Sequence, residues 1–206
     1  MNQSLNSPLL DNAVNQLAKL PGIGRKTALR LALNLLRRDP HEAQALGEAI
    51  IDLRKNIQYC QRCHNISENE ICDICNDSRR DSSVICVVEN VKDVLTIEST
   101  HEHHGLYHVL GGVISPIEGI SPNDLEIDSL VERVKTEEIK EVILALSPTI
   151  EGDTTNYYIF RRLSDTNVKI TVLARGVSIG NDLEFTDELT LGRSLINRIP
   201  FASDTD

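Results

Sequence analysis

Tryptophan is absent and aromatics make up only 3% of the residues, so any core must be built from Leu, Ile and Val. The N-terminus has no basic start and no long apolar run, which excludes a signal peptide from the reading. No stretch approaches the ~20 consecutive apolar residues that a bilayer span needs. Internal repeats and low-complexity tracts are missing as well. These absences point to a cytoplasmic protein without membrane contact. Apolar residues at 40% and charged residues at 25% fit a globular chain, and 206 residues suffice for one domain with small satellites. The five cysteines, in a chain without a secretion signal, argue for metal binding rather than a disulfide framework.

The formal charge of −10 is unevenly placed. Residues 1–56 carry eight basic and five acidic side chains, a balance of +3, and residues 81–206 carry ten and twenty-two, a balance of −12. A basic head on an acidic body suggests that the head alone meets phosphate while the body meets something else.

Ser7 and Pro8 suit an N-cap and first helical position, and Leu10, Val14 and Leu17 then recur at helical spacing until Pro21-Gly22. A second helix is expected after Gly24, with Ala28, Leu31, Ala32, Leu35 and Leu36 on one face, ending near Asp39-Pro40. A third is expected over 40–55, its apolar face carrying Ala43, Leu46, Ala49, Ile50 and Leu53. Cysteines replace the periodicity over 59–76. Beyond them, short buried strands at 84–88, 141–146 and 168–173 alternate with helices at 91–98, 125–134 and 155–163, and a last helix is expected around 190–197. Apolar strands alternating with helices imply an α/β fold with a mostly parallel sheet.

Leu20-Pro-Gly-Ile-Gly24 between two helices is the helix-hairpin-helix signature. Gly22 and Gly24 let the backbone approach a phosphate without a Cβ in the way. The helix starting there directs free N–H groups and its positive dipole end at the same phosphate. Ile23 plugs the gap between the helices. Lys26 and Arg30, four apart, flank the phosphate track with Arg25 beside them, contacts that hold DNA without reading its sequence. Arg37 and Arg38 either extend this patch or complement the C-terminal dipole of the helix.

Cys60-x2-Cys63 and Cys72-x2-Cys75 are two thiolate pairs separated by eight residues, the pattern of a closed, structural zinc site. An iron–sulfur centre fits this spacing less well. Zinc would supply much of the folding energy of so small a module. Cys86, in the middle of a predicted strand, reads as a core residue.

Glu89 falls just after the first predicted strand, where open α/β sheets place ligands, and Asp93 follows four residues later. Glu151 and Asp153 follow the second. Converging, these four carboxylates would suit Mg2+; otherwise they form a partner-binding or solvated rim. His101, His103, His104 and His108 do not have clean zinc-pair spacing and read as a solvated loop. The 105–112 stretch lacks a P-loop's Gly-Lys-Ser/Thr, so nucleotide binding is not expected.

A helix-hairpin-helix, then a four-cysteine module, then an acidic α/β domain resembles the RecR family, whose α/β part is a Toprim domain. Gly105-Leu-Tyr-His-Val-Leu-Gly-Gly112, Ser115-Pro116, Pro148-Thr-Ile-Glu-Gly152, Leu173-Ala-Arg-Gly176 and Thr190-Leu-Gly-Arg193 look like segments of that family. The resemblance divides the chain into a DNA-binding region at 1–56, a zinc finger at 57–80, a Toprim domain at 81–176 and a C-terminal tail at 177–206 that either packs on that domain or reaches to a neighbouring subunit. It implies a homodimer or ring-like homotetramer, associated with the bacterial nucleoid, that works with RecO and RecF to load recombinase onto gapped single-stranded DNA. Lys26 and Arg30 match the family's DNA-contacting positions. Ser147 stands where Asn is expected and Arg25 where Pro is common. The second acidic motif reads Glu-x-Asp where catalytic Toprim domains have Asp-x-Asp, so a non-enzymatic role is expected over its rival, a Mg2+-dependent nuclease or topoisomerase-like enzyme.

Overall fold

The computed structural model describes residues 7–177, 180 and 182–198, so the predicted tail falls partly outside the described residues. Two compact units divide at residue 57.

The first unit is helical. Ser7 caps helix α1 (Pro8–Leu17), its Oγ accepting the Leu10 N–H at 3.4 Å. Helix α2 (Arg25–Leu35) packs on it through Val14, Ala28 and Ala32, small residues that let the two backbones approach. Helix α3 (Pro40–Asn56) begins at an Asp39 cap followed by proline. Of its expected apolar face, Leu46, Ile50 and Leu53 stay exposed among the described residues, as does Leu36 just after α2.

The second unit opens with a two-stranded antiparallel ribbon, β1 (Gln58–Tyr59) and β2 (Ile66–Ser67), and a single helical turn, α4 (Asp73–Asn76). The α/β body follows: β3 (Asp81–Val88), α5 (Val91–Glu98), β4 (Gly105–Val109), α6 (Ile127–Thr136), β5 (Glu141–Leu144), α7 (Ile150–Arg162) and β6 (Lys169–Val172). The sheet is wholly parallel in the order β4-β3-β5-β6. Alternation along β3 serves both faces. Ile85 and Val87 join Leu130, Val131, Val142 and Ile159 in one core, whereas Cys86 and Val88 join Val94, Tyr107 and Val109 in the other. Helix α8 (Glu188–Ile196) ends the described chain with no buried residue.

Three features depart from the expectations. The 101–108 histidines are not one solvated loop, because strand β4 runs through their end and is buried along its whole length. His108 is fully buried and His103 packs edge-on against Tyr107, while His101 and His104 remain exposed. A strand written Gly-Leu-Tyr-His-Val has neither alternation nor a β-branched run, so its pattern gave no warning. Helix α7 starts at Ile150 instead of 155, capped by Thr149, whose Oγ1 accepts the Gly152 N–H at 3.1 Å. This puts Glu151 and Asp153 on its first turn. Helix α6 starts two residues later than predicted, Leu125 closing a 3-10 turn before it.

Candidate nucleic-acid interface and metal centre

The hairpin between α1 and α2 is a tight turn that ends at the start of α2. Pro21 and Gly22 occupy the centre of a tight turn in which the Ile23 N–H reaches the Leu20 carbonyl at 3.1 Å, and Gly22 adopts φ +75°. Ile23 turns back onto the Val14–Ala28–Ala32 core. Gly24 starts α2 without a side-chain cap, and a Cβ placed there would meet nothing within 4 Å. The glycine is thus not demanded by crowding within the protein; it keeps open the approach to the first N–H groups of α2. Down the same helix Lys26, Leu29, Arg30, Leu33, Asn34 and Arg37 line one groove of about 300 Å³.

The basic residues separate into two kinds. Lys26, Arg30 and Arg37 line the groove. Arg25 instead donates to Asn15 Oδ1 at 2.6 Å and pairs with Asp11 at 2.7 Å, which pins α2 to α1. Arg38 turns to Asn34 and Glu42. Arg37 therefore shares the groove with Lys26 and Arg30, and Arg38 is not among the residues lining it.

The four cysteines come together. Their Sγ atoms lie within 4.8 Å of one another, all buried, with Cys63 and Cys72 at 3.6 Å. A tetrahedral zinc with bonds near 2.3 Å sets sulfur pairs about 3.8 Å apart, so the cage fits that ion. Backbone donors are already aimed at the sulfurs: the Cys72 N–H at Cys60 Sγ (3.3 Å) and the Cys75 N–H at Cys72 Sγ (3.5 Å). Without a cation, hydrogen bonding with Cys72 and Cys75, and then burial, drives the Cys63 thiol far above its usual range. Zinc would hold all four as thiolates. Cys86 stands apart in the sheet core, its thiol pushed up to about 12 by burial.

The zinc ribbon is fastened to the α/β body by contacts that the sequence reading missed. The Cys63 carbonyl accepts the Val109 N–H at 2.8 Å, covering the outer edge of β4. Arg62 grips Glu137 through two nitrogens, at 3.1 and 2.8 Å, and donates to the Cys75 carbonyl at 3.3 Å. Arg133, itself buried, also pairs with Glu137 and donates to the Tyr107 carbonyl. Burial alone would raise the Glu137 pKa, but Arg62 and Arg133 outweigh it and hold the carboxyl below its ordinary range. Nothing in the charge pattern distinguished these residues from a solvated surface. A second bracket joins Arg80 to Glu98, which also accepts from the Tyr107 hydroxyl at 2.7 Å.

The four carboxylates at the sheet edge do not form a cage. Among the described residues, the cysteines alone gather three or more metal-ligating groups. Asp93 is consumed in a capping box, its Oδ2 accepting the Asn90 N–H at 3.0 Å. Asp153 pairs with Arg175, which keeps its pKa low. Among the described residues, the Glu89 carboxylate meets a long contact from the Ser147 hydroxyl at 3.5 Å. Glu151 is half-buried in the first turn of α7. Of the two alternatives read from the sequence, the engagement of Asp93 in a helix cap and of Asp153 in an ion pair favours the partner-binding or solvated rim over a Mg2+ set.

Comparison with known proteins matches four family descriptions in chain order. They are the RecR helix-hairpin-helix over 10–54, the RecR zinc finger domain of the four-cysteine type over 57–77, the Toprim domain over 83–174 and the RecR C-terminal region over 176–199. Among curated relatives, Recombination protein RecR of Phocaeicola vulgatus is 60% identical over 201 residues, covering 98% of both chains. That of Porphyromonas gingivalis is 57% identical over 202 residues, again covering 98% of each, and that of Flavobacterium johnsoniae is 50% identical over 195 residues, 95% of each. Hairpin, cysteine cage and parallel sheet follow one another here in the order of those family descriptions, and the chain belongs to the RecR family of recombination proteins.

Proposed function

We propose that this protein is a non-enzymatic DNA clamp and adaptor of bacterial recombinational repair, acting with RecO and RecF to load recombinase at gapped single-stranded DNA. Its relatives' shared name, Recombination protein RecR, supports the repair role. The observation that carries the DNA reading is the open hairpin at Gly24 feeding one groove lined by Lys26, Arg30 and Arg37. Contacts of this kind are to phosphates, so affinity falls steeply with salt and sequence preference is small. The zinc ribbon is structural. The acidic body, at −12 over 81–206, repels phosphate and suits proteins instead. The exposed apolar residues of α3 support assembly into a homodimer or homotetramer. A cytoplasmic, nucleoid-associated location follows from this role; no helix among the described residues is long and apolar enough to cross a membrane.

The engagement of Asp93 and Asp153 supports the non-enzymatic reading over a Mg2+-dependent nuclease. The test is fluorescence anisotropy on gapped DNA across a salt series. Lys26→Ala with Arg30→Ala should weaken binding to every DNA sequence alike and flatten the log–log salt slope by about two. Normal binding by that variant at physiological salt sinks the assignment. A denaturing gel of end-labelled DNA with Mg2+ checks catalysis: new strand ends, lost in Glu89→Ala, would replace the clamp with an enzyme.

A further inference from the structure

Between the zinc ribbon and the carboxyl ends of β3 and β4 lies a pocket of about 340 Å³. Tyr59 and His64 of the ribbon form one wall; Val91, Val109, Gly111 and Glu126 of the body form the rest, with Asn90 at the start of α5. Carboxyl ends of parallel strands are where open α/β sheets hold ligands. Neither the hairpin nor the cysteine cage uses this space.

Its chemistry is one-sided. Glu126 is the one charged group among the lining residues apart from His64, and neither Lys nor Arg is among them. The two oxygens of Glu126 are unequal. Oε2 accepts from the Ser129 hydroxyl at 3.1 Å and faces His64 Nε2 at 3.5 Å, while Oε1 has no hydrogen-bond partner among the described residues. The Asn90 side-chain oxygen is committed to its helix cap. Tyr59 is 70% exposed at the end of β1, and the half-buried Val91 supplies apolar surface, with the buried Val109 also lining the pocket. The wall is also stiff. His64 sits at φ +61°, a conformation uncommon for a residue with a Cβ, held by its N–H to the Cys60 carbonyl at 2.9 Å and by its ring packed edge-on against the buried His108. The cysteine cage and the sheet thus fix the pocket from both sides.

We propose that this pocket receives a Lys or Arg side chain from a partner protein, its charge facing Glu126 and the Tyr59 ring and its aliphatic stem lying on Val91 and Val109. A carboxylate oxygen without a partner, an exposed aromatic face and a short apolar floor together are what a long cationic side chain matches. The surrounding body, at −12, adds long-range attraction for a basic surface and repels a nucleic-acid backbone. The proposal rests on the reading that the acidic body meets proteins, and it names the anchor.

The test uses the full zinc-loaded chain labelled at valine methyl groups, titrated with N-acetyl-arginine amide and, in parallel, with the neutral isostere N-acetyl-citrulline amide. Arginine amide should shift the Val91 and Val109 signals saturably at millimolar concentration, and Glu126→Gln should weaken this about threefold to fivefold. The unshifted remainder of the spectrum checks that the variant is folded. Equal shifts from citrulline amide, no shift from either, or shifts insensitive to Glu126→Gln overturn the proposal. So do shifts from thymidine monophosphate without shifts from arginine amide, which would make this a nucleotide site. Association with RecO is measured separately on unmodified protein. Its absence would remove the partner reading, whereas RecO binding unaffected by Glu126→Gln would remove the anchor alone.

Discussion

Gly152 should be irreplaceable for a reason unrelated to flexibility. A Cβ on this residue would stand 2.0 Å from the Ser147 carbonyl oxygen and 3.1 Å from its carbon. Both belong to backbone, so no side chain can swing aside. The first turn of α7 and the loop after β5 would have to part by about 1.4 Å or more to restore ordinary contact. Overpacking costs about 1–3 kcal/mol, and a backbone-on-backbone clash belongs at the upper end. The better helix propensity of alanine offsets up to about 1 kcal/mol. Gly152→Ala should therefore destabilise by about 2 kcal/mol, which lowers Tm by roughly 4–8 °C in a domain of this size. The displaced turn carries Asp153, so the pair with Arg175 should loosen as well. Gly176→Ala is the control, since a Cβ there meets nothing within 4 Å. Thermal unfolding followed by circular dichroism reads both variants. A Gly152→Ala protein melting within about 1 °C of the wild type would refute the close-approach argument.

Removing zinc with a chelator under reducing conditions should disorder 58–77 and also loosen β4, read as lost amide protection at Val109, because the Cys63 carbonyl covers that strand. One zinc per chain by metal analysis is the companion expectation; iron in its place would overturn the assignment. The His108 imidazole is buried and held neutral, its pKa pushed down to about 3 by burial. Its folded pKa lies below the unfolded value near 6.5, so its contribution is complete above pH 6.5 and is lost as pH falls toward 3. The loss at pH 5 is about 2 kcal/mol, seen as a falling denaturant midpoint across that window. Cys86 should resist a thiol reagent in the native, zinc-loaded protein and react only on unfolding, since it is buried and its thiol is pushed up to about 12.

The sequence made legible whatever is written in local chemistry. Ser7-Pro8 and Asp39-Pro40 announced their helix starts, the paired cysteines their cage, and Leu20 to Gly24 its turn, because caps, ligand spacings and tight turns are satisfied within a few residues. What stayed hidden depends on distant partners. Strand β4 is buried along its whole length, Tyr107 and Val109 in a core shared with Val94 of α5 and His108 against the Glu126 carbonyl, so Tyr107 and His108 carried no periodic mark. Arg62 and Glu137 lie seventy-five residues apart, and the ties of Arg25 to Asn15 and Asp11 reach across the hairpin from α2 to α1. Of the four carboxylates placed after the strands, Asp93 is tied to a helix cap and Asp153 to Arg175, ties that placement alone did not reveal.

The hydrogen bond from Val109 to the Cys63 carbonyl also has a consequence for synthesis on the ribosome. Translation completes the last ligand, Cys75, thirty residues before β4 begins at Gly105. A nascent chain with access to zinc can therefore close its thiolate cage first and hold a finished lid ready for the strand as it emerges. A chain starved of the metal would bring out β4 with that edge bare, a ready template for pairing with its neighbours on the same polysome. Zinc supply would then govern how much of the newly made protein escapes aggregation, before any DNA is met.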